Sequence, residues 1–194
     1  MSTSQSTARR YHHGDLRAAL LGEGLRLVEE AGAEALSLRE VARAAGVSAT
    51  AVYRHFPDKR ALMMALAQEG VRRLGAAQTE AAAGQADAAS GFGAIGRAYV
   101  RFALANPGLF RLTFTYPGLA IGDPMSDAAA TLLHDYALGL AAGNEARARI
   151  IGVRAWSLVH GLAMLMLDGR VPDSDVAIDA VIDIAAIYPK PGGD

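Results

Sequence analysis

Proline is missing from the first 56 residues, and alanine and leucine are the prevailing side chains along the chain. Proline breaks helices, whereas alanine and leucine are among the strongest helix formers. No sustained run alternates β-branched with polar residues, as a half-buried strand would. Hydrophobic residues make up 52% of the sequence, which is enough for a packed core. The sequence therefore predicts an all-α protein of about nine helices.

Capping residues and breakers divide the chain into these helices. Ser37 and Glu40 form a predicted capping box, Ser48 and Asp58 are predicted N-caps, and Gly32 fits a helix stop. The small and polar segment 84–93 is predicted to be a loop. Helices are predicted from about residue 14 to 32, 37 to 46, 49 to 55, 59 to 83, 93 to 105, 107 to 115, 123 to 142, 144 to 168 and 173 to 187.

Composition excludes several classes of protein. The absence of cysteine excludes a disulfide framework, a zinc finger and a thiol nucleophile. The first residues are polar and do not resemble a secretory signal. The apolar stretch Ile150 to Leu167 has the length of a short membrane span, but Arg154 and His160 interrupt it. We interpret it as a buried helix and expect a cytoplasmic protein without a membrane partner.

An enzyme is the first alternative, and the sequence lacks the motifs that it would need. There is no Glu-x-x-His pair for a di-iron site, no glycine-rich phosphate loop and no Gly-x-Ser-x-Gly. Ser157 and His160 share a helix but have no evident acid partner. The adjacent pair His12-His13 is a poor metal site. We therefore expect no catalytic activity, no metal and no cofactor.

The segment from Ser37 to Leu62 carries the clearest functional pattern. An amphipathic helix, a turn containing Gly46 and a second short helix together form a helix-turn-helix, the size of element that a DNA major groove admits. Charge agrees, because residues 1–60 carry a net +2 and the remainder a net −3. The two helices are predicted to pack through Val41, Ala42, Val47 and Val52, and the second to expose Ala49, Thr50, Tyr53 and Arg54.

One set of residues follows a recognisable order between Tyr11 and Leu66: Ser37, Arg39, Val41-Ala42, Gly46-Val47-Ser48, Val52-Tyr53, His55-Phe56 and Lys59. With these residues, Tyr11 to Leu66 resembles the DNA-binding domain of the TetR family of transcriptional regulators almost end to end. The resemblance implies a three-helix DNA-binding domain at 11–60 that helix 4 joins to a ligand-binding and dimerisation domain at 61–188. Flexible ends are expected at 1–10 and 189–194.

By this resemblance, Tyr53 and His55 contact the DNA backbone, Thr50 contacts the backbone or a base, and Arg9 and Arg10 form an arm along the DNA. Ala49 departs from the family, in which a polar residue is common, and can only touch a thymine methyl group. The alternatives to a DNA-binding role are that Tyr53 is only a surface aromatic residue and that Arg54 is only a solvated side chain. The predicted DNA-binding residues are Arg39, Ser48, Ala49, Thr50, Tyr53, Arg54, His55 and Lys59.

Two later segments, Ala105 to Phe114 and Trp156 to Arg170, resemble the TetR-family C-terminal domain named for its Trp-His-Gly residues. This resemblance implies a homodimer formed through the last two long helices and a cavity for a small-molecule inducer. The predicted helices at about 144–168 and 173–187 carry apolar faces that a monomer would leave partly exposed, for instance at Ile150, Val153, Ile182 and Ile187. No cluster of charges marks an acidic ligand, so we expect a largely apolar one. The alternative for each candidate is a core position. The candidates are Phe102, Phe110, Phe114, Met125, His134, Trp156, His160 and Met164.

The second alternative is a ligand- or lipid-binding protein of the same fold that has lost DNA binding. The intact segment from Ser48 to Lys59 argues against it. The sequence thus predicts a homodimeric regulator, and a repressor rather than an activator, because occupying a promoter is enough to block it. Its expected partners are a palindromic double-stranded DNA operator and a small-molecule inducer.

Overall fold

The computed structural model describes residues 16–115 and 128–183. Within these two ranges the chain is helical, has no strand and confirms the all-α prediction. Nine helices lie in them: α1 (Leu16–Ala35), α2 (Leu38–Ala44), α3 (Ala49–Tyr53), α4 (Lys59–Ala82), α5 (Ala88–Ala105), α6 (Pro107–Thr115), α7 (Ala128–Leu140), α8 (Glu145–Leu167) and α9 (Asp175–Val181).

The first three helices and the start of α4 follow the predicted caps closely. The side chains of Ser37, Ser48 and Asp58 accept hydrogen bonds from the backbone N–H groups three residues later. Gly32 has a φ of 80°, which breaks the regular course of α1. Their shared core consists of Leu20, Val28, Val41, Val52, Phe56 and Leu62, which are all buried.

Some predicted boundaries were wrong. Residues 88–93, predicted as part of a loop, begin α5, because Asp87 and Ser90 cap each other's backbone N–H groups there. Helix α3 ends at Tyr53, with Arg54 as its C-cap, rather than at His55. Helix α9 begins after its N-cap Ser174 and ends at Val181. The predicted ends near 14, 123 and 187 lie outside the described residues.

Helix α8 is not the fully buried helix that its apolar sequence predicted. One face packs into the core through residues such as Leu162 and Met166. The opposite face leaves Ile150, Val153 and Leu165 about half exposed. By length and composition alone this helix could cross a membrane, yet an amphipathic core helix has the same properties. The core of this chain therefore does not account for the apolar residues on the exposed face of α8.

Helix α6 lies against both α1 and α4 at very short distances. A Cβ atom on Gly108 would lie 2.6 Å from the backbone oxygen of Val28 in α1, and one on Gly70 of α4 would overlap the Thr113 hydroxyl. Both carboxylate oxygens of Glu29 accept hydrogen bonds from the N–H groups of Gly108 and Leu109, each at 2.9 Å. These N–H groups open α6 and have no partner inside it. Helix α6 thus connects the N-terminal helices to the second domain.

Replacing Gly108 with alanine tests this close packing. We expect Gly108→Ala to lower the free energy of unfolding by ~1–3 kcal/mol, because the new methyl group must push α6 away from the backbone of α1. Gly22 is the matched control, since a Cβ there would meet no atom of another element within 4 Å in the described part of the chain. Gly22→Ala should raise the stability by about 0.5–1 kcal/mol. Urea unfolding at one fixed protein concentration measures both, and equal effects would contradict the close packing.

Candidate DNA interface and ligand cavity

The short helix α3 presents a polar surface on a rigid base. Val52 is completely buried beneath it, and Ser48 caps its first turn through the Ala51 N–H at 3.3 Å. Tyr53 is a large aromatic residue with 48% of its surface exposed. An aromatic side chain of that size would gain free energy by burial, so its exposure is consistent with a partner. The neighbouring residues Thr50, Arg54 and His55 are exposed with it, and Ala49 is half-buried.

The start of α4 adds a cation beside this surface. The Lys59 ammonium donates a hydrogen bond to the backbone oxygen of Glu34 at 2.8 Å, which holds the exposed side chain across the end of α1. Arg39 lies exposed on α2. The guanidinium of Arg17 lies 5.4 Å from the centre of the Phe56 ring, a cation–π contact that the sequence reading missed. The positively charged groups therefore flank α3 from three helices.

The eight predicted DNA-binding residues thus lie on α2, on α3 with its N-cap, on the segment that links α3 to α4, and at the first residue of α4. All except Ala49 are exposed. The predicted arm with Arg9 and Arg10 is outside the described residues. An exposed helix with hydroxyl, aromatic and guanidinium groups can read a major groove while its neighbours contact phosphates.

A cavity of about 770 Å³ lies in the second domain. Its walls come mainly from α4, α5, α7 and α8, and most of them are apolar. Three of the predicted ligand-binding residues line it, namely Phe114, His134 and Trp156. Phe102, Phe110, His160 and Met164 are not among its lining residues, and Met125 is outside the described residues.

Within the described part of the chain, the predicted ligand-binding residues that do not line the cavity pack into the adjacent core instead. Phe110 is completely buried, and its ring lies 4.8 Å from that of Phe114 and 5.5 Å from that of His160, centre to centre. Phe102 is also buried in this core. Sequence periodicity marks an apolar helix face but does not tell a core neighbour from a cavity wall.

Tyr99, which the sequence reading missed, joins two of the predicted residues. Its hydroxyl accepts a hydrogen bond from the Trp156 indole N–H at 3.2 Å and lies 2.9 Å from Nδ1 of His160. The single hydroxyl proton can then be donated to Nδ1 of a neutral imidazole. Burial lowers the pKa of the His160 imidazole below its ordinary value of 6.5, which favours that neutral form. The three side chains form one hydrogen-bonded wall beside the cavity.

Gln78 is the second residue that sequence reading missed. It lies on the cavity wall, is only 5% exposed and donates from Nε2 to the backbone oxygen of Ile95 at 3.1 Å. The pattern offered a signal, because Leu66, Gly70, Leu74 and Gln78 follow one another at four-residue spacing on the buried face of α4. A polar residue in that apolar series is a candidate for a binding function.

Charged groups occur where the cavity meets the surface. Nε2 of His134 lies 3.7 Å from a carboxylate oxygen of Glu145, and Arg149 and Arg154 also line the opening. These groups are partly or fully exposed, so their charges are screened by solvent where the cavity opens. The arrangement suits a ligand with an apolar body, since the charges do not converge inside the cavity.

Sequence comparison covers both halves of this architecture. Residues 20–66 match the bacterial regulatory proteins of the tetR family, and residues 92–185 match the tetracyclin repressor-like C-terminal domain. The chain belongs to the TetR family of transcriptional regulators. No curated protein sequence matches it. The TetR-family assignment confirms the predicted fold of an N-terminal helix-turn-helix followed by a helical C-terminal domain.

Solved structures share this fold over nearly the whole chain. A protein of unknown function from Rhodococcus sp. RHA1 is 34% identical, with 92% of this chain and 95% of that one aligned and a TM-score of 0.76. A TetR family transcription regulator from Marinobacter aquaeolei VT8 is 22% identical, with 89% and 94% aligned and a TM-score of 0.58. The regulator PfmR from Thermus thermophilus is 20% identical, with 88% and 98% aligned and a TM-score of 0.56.

The half-buried His160 makes stability depend on pH in a defined direction. The pKa of His160 is lower in the folded protein than its ordinary value of 6.5 in the unfolded chain. At a pH between these two pKa values, the unfolded chain binds a proton at His160 that the folded chain does not. Acidification should therefore lower the free energy of unfolding, and the variant His160→Gln should lose less stability than the wild type. Urea unfolding at about pH 7.5 and about pH 5.5 measures the difference. An equal loss in both proteins would rule out His160 as a source.

Proposed function

We propose that this TetR-family protein is a cytoplasmic repressor that binds a palindromic operator as a homodimer and is released by a largely apolar ligand. The observation that carries the proposal is the surface of α3. Ser48 caps this helix, Val52 anchors it in the core, and Thr50, Tyr53 and Arg54 are exposed together. A cavity in the same chain supplies a place for the ligand. The DNA site and the ligand site are thus separate, as regulation by an effector requires.

The DNA-binding role rests on how the exposed groups are held. Tyr53, His55 and Lys59 are proposed to contact phosphates, which positions α3 in the major groove. Arg39 and Thr50 are proposed to reach phosphates or base edges. Ala49 offers a methyl group that can contact thymine but cannot form a hydrogen bond. More of the specificity is therefore proposed to come from Arg39, Thr50 and Tyr53 or from sequence-dependent DNA shape.

Two substitutions test this interface. Tyr53→Ala and Lys59→Ala should each weaken operator binding without unfolding the protein, because both side chains are exposed. Lys59→Ala should also make the dependence of log affinity on log salt shallower by about one unit, since one phosphate contact is lost. DNA from the promoter region of the gene itself serves as the probe in titrations at several salt concentrations.

Arg72→Ala is the matched control for the loss of one positive charge. Arg72 is exposed in the later part of α4 and pairs with Glu69 rather than with groups near α3. It should leave affinity and salt dependence unchanged. If Tyr53→Ala and Lys59→Ala bind the operator as the wild type does, α3 is not the DNA-binding surface.

The homodimer is proposed to form through the exposed face of α8. Ile150 and Val153 are 53% and 57% exposed, and Leu165 continues the same face toward the end of the helix. A Cβ on Gly161 would meet no described residue of another element within 4 Å, so the position is open to a helix from a second copy. Exposed apolar patches of this kind mark interfaces. Ile182, also expected on this surface, is instead buried, and Ile187 is outside the described residues.

A charge placed on this face should separate the two copies. Ile150→Glu is expected to shift the protein from dimer to monomer in light scattering at micromolar concentration, because two carboxylates would be buried near the symmetry axis. Ala76→Glu, at an exposed position on α4, is the control and should remain dimeric. A monomeric wild type would contradict the proposed assembly, and with it the two-fold operator.

Ligand release is proposed to act through two helices that leave the cavity. Helix α4 lines the cavity in its later part and begins at Lys59 beside the DNA. Helix α6 places Phe114 on the cavity wall and is bonded to α1 through Glu29 at its other end. A ligand that displaces either helix changes the position of the DNA-binding helices. Coupling of this kind is reciprocal, so DNA weakens ligand binding by the same factor.

A further inference from the structure

The oxygen of the Gln78 side chain is buried without a hydrogen bond. Gln78 is 95% buried, and no donor among the described residues makes a hydrogen bond to its Oε1. Native proteins rarely leave such an atom unpaired, because it has lost its water without gaining a partner. The residue lines the cavity, so a ligand bound there would lie next to this amide.

The orientation of the Gln78 amide is fixed by its neighbour on α5. The Ile95 backbone oxygen can only accept, so the amide atom 3.1 Å from it must be the donor Nε2. Turning the amide over would place two oxygens against each other. Oε1 is therefore the atom left free, and it can only accept a hydrogen bond.

The other buried polar groups of the wall have partners already. The Trp156 indole N–H is bonded to the Tyr99 hydroxyl, and that hydroxyl lies against His160. His134 and Glu145 face each other near the exposed opening. In the described part of the cavity, the buried acceptor without a partner is thus Gln78.

We infer that the cavity takes a neutral amphipathic ligand whose hydroxyl or amide N–H donates a hydrogen bond to Oε1 of Gln78. This inference rests on the proposed function and adds the chemical class of the inducer. A donor at this point replaces the missing bond, while the surrounding apolar walls cover the rest of the ligand. A carboxylate or an ether would bring a second acceptor against Oε1 and would leave both unpaired.

The test compares ligands that differ only in the donor. Decanol and cyclododecanol each donate one hydrogen bond, whereas their methyl ethers have the same apolar body and only accept. Calorimetry and quenching of Trp156, the single tryptophan, measure binding to the full-length dimer without DNA. We expect at least one alcohol to bind, and about tenfold or more tightly than its ether, which is the contribution of one buried hydrogen bond.

The variant Gln78→Met removes the acceptor while keeping an unbranched side chain of similar length. It should bind the alcohol and the ether with equal affinity, whereas Gln68→Met, at an exposed position of the same helix, should keep the preference. If Gln78→Met does not fold, the comparison of ligands on the wild type still decides. Equal binding of alcohols and ethers to the wild type, or no binding of any alcohol, overturns the inference.

The outcome for the proposed function is read separately. The same alcohol is added to the complex of the wild-type protein with its promoter DNA, and release is followed by gel shift. Release by alcohol and ether alike would keep the ligand-released repressor and reject the Gln78 assignment. A protein that binds no promoter DNA, with or without ligand, would reject the repressor while the binding preference for alcohols could still hold.

Discussion

The close packing of α6 between α1 and α4 determines how the two halves of this protein are arranged. Gly70 and Gly108 lack the side chains that would hold the helix backbones apart. Glu29 then reaches the first N–H groups of α6, where a negative charge also complements the helix dipole. Without this arrangement Phe110 could not fill the core beneath Tyr99, and Phe114 would not reach the cavity.

The same packing joins a wall of the cavity to the helices of the N-terminal half. Close-packed helices cannot slide by fractions of a side chain without opening gaps, so they shift between discrete arrangements. Helix α6 contacts α1 through its first residues and the cavity through Phe114 near its end. Under the proposed function, a ligand needs only to favour one position of this nine-residue helix over another.

Local sequence signals were enough for the starts of α2, α3 and α4. Ser37, Ser48 and Asp58 mark helix starts, because the side chain of each accepts a hydrogen bond from the backbone N–H three residues later. The same reasoning missed the start of α5, because the pair Asp87 and Ser90 lies in a run of small residues that resembles a loop. Local rules therefore succeed where the stabilising partner is near in sequence and conspicuous in type.

The cavity depended on contacts that no local rule contains. Tyr99 and Trp156 are 57 residues apart, and Gln78 and Ile95 are 17 apart. Whether His160 faces the cavity or the aromatic core is decided by how α5, α6 and α8 meet, and periodicity within α8 cannot supply that. The exposed face of α8 was likewise expected in part, through Ile150 and Val153, while burial of Ile182 required the position of α9.

The scarcity of lysine has a practical consequence for chemistry on this protein. The sequence contains two lysines, Lys59 and Lys190, among 19 basic residues. A reagent that acylates side-chain amines can therefore modify only one residue within the described part of the chain. At Lys59 it converts the ammonium group, which donates a hydrogen bond to the Glu34 backbone oxygen, into a neutral amide. The positive charge beside α3 is thereby removed. Reductive methylation at the same nitrogen keeps the charge, so the pair of reagents separates electrostatic from steric effects without any mutation.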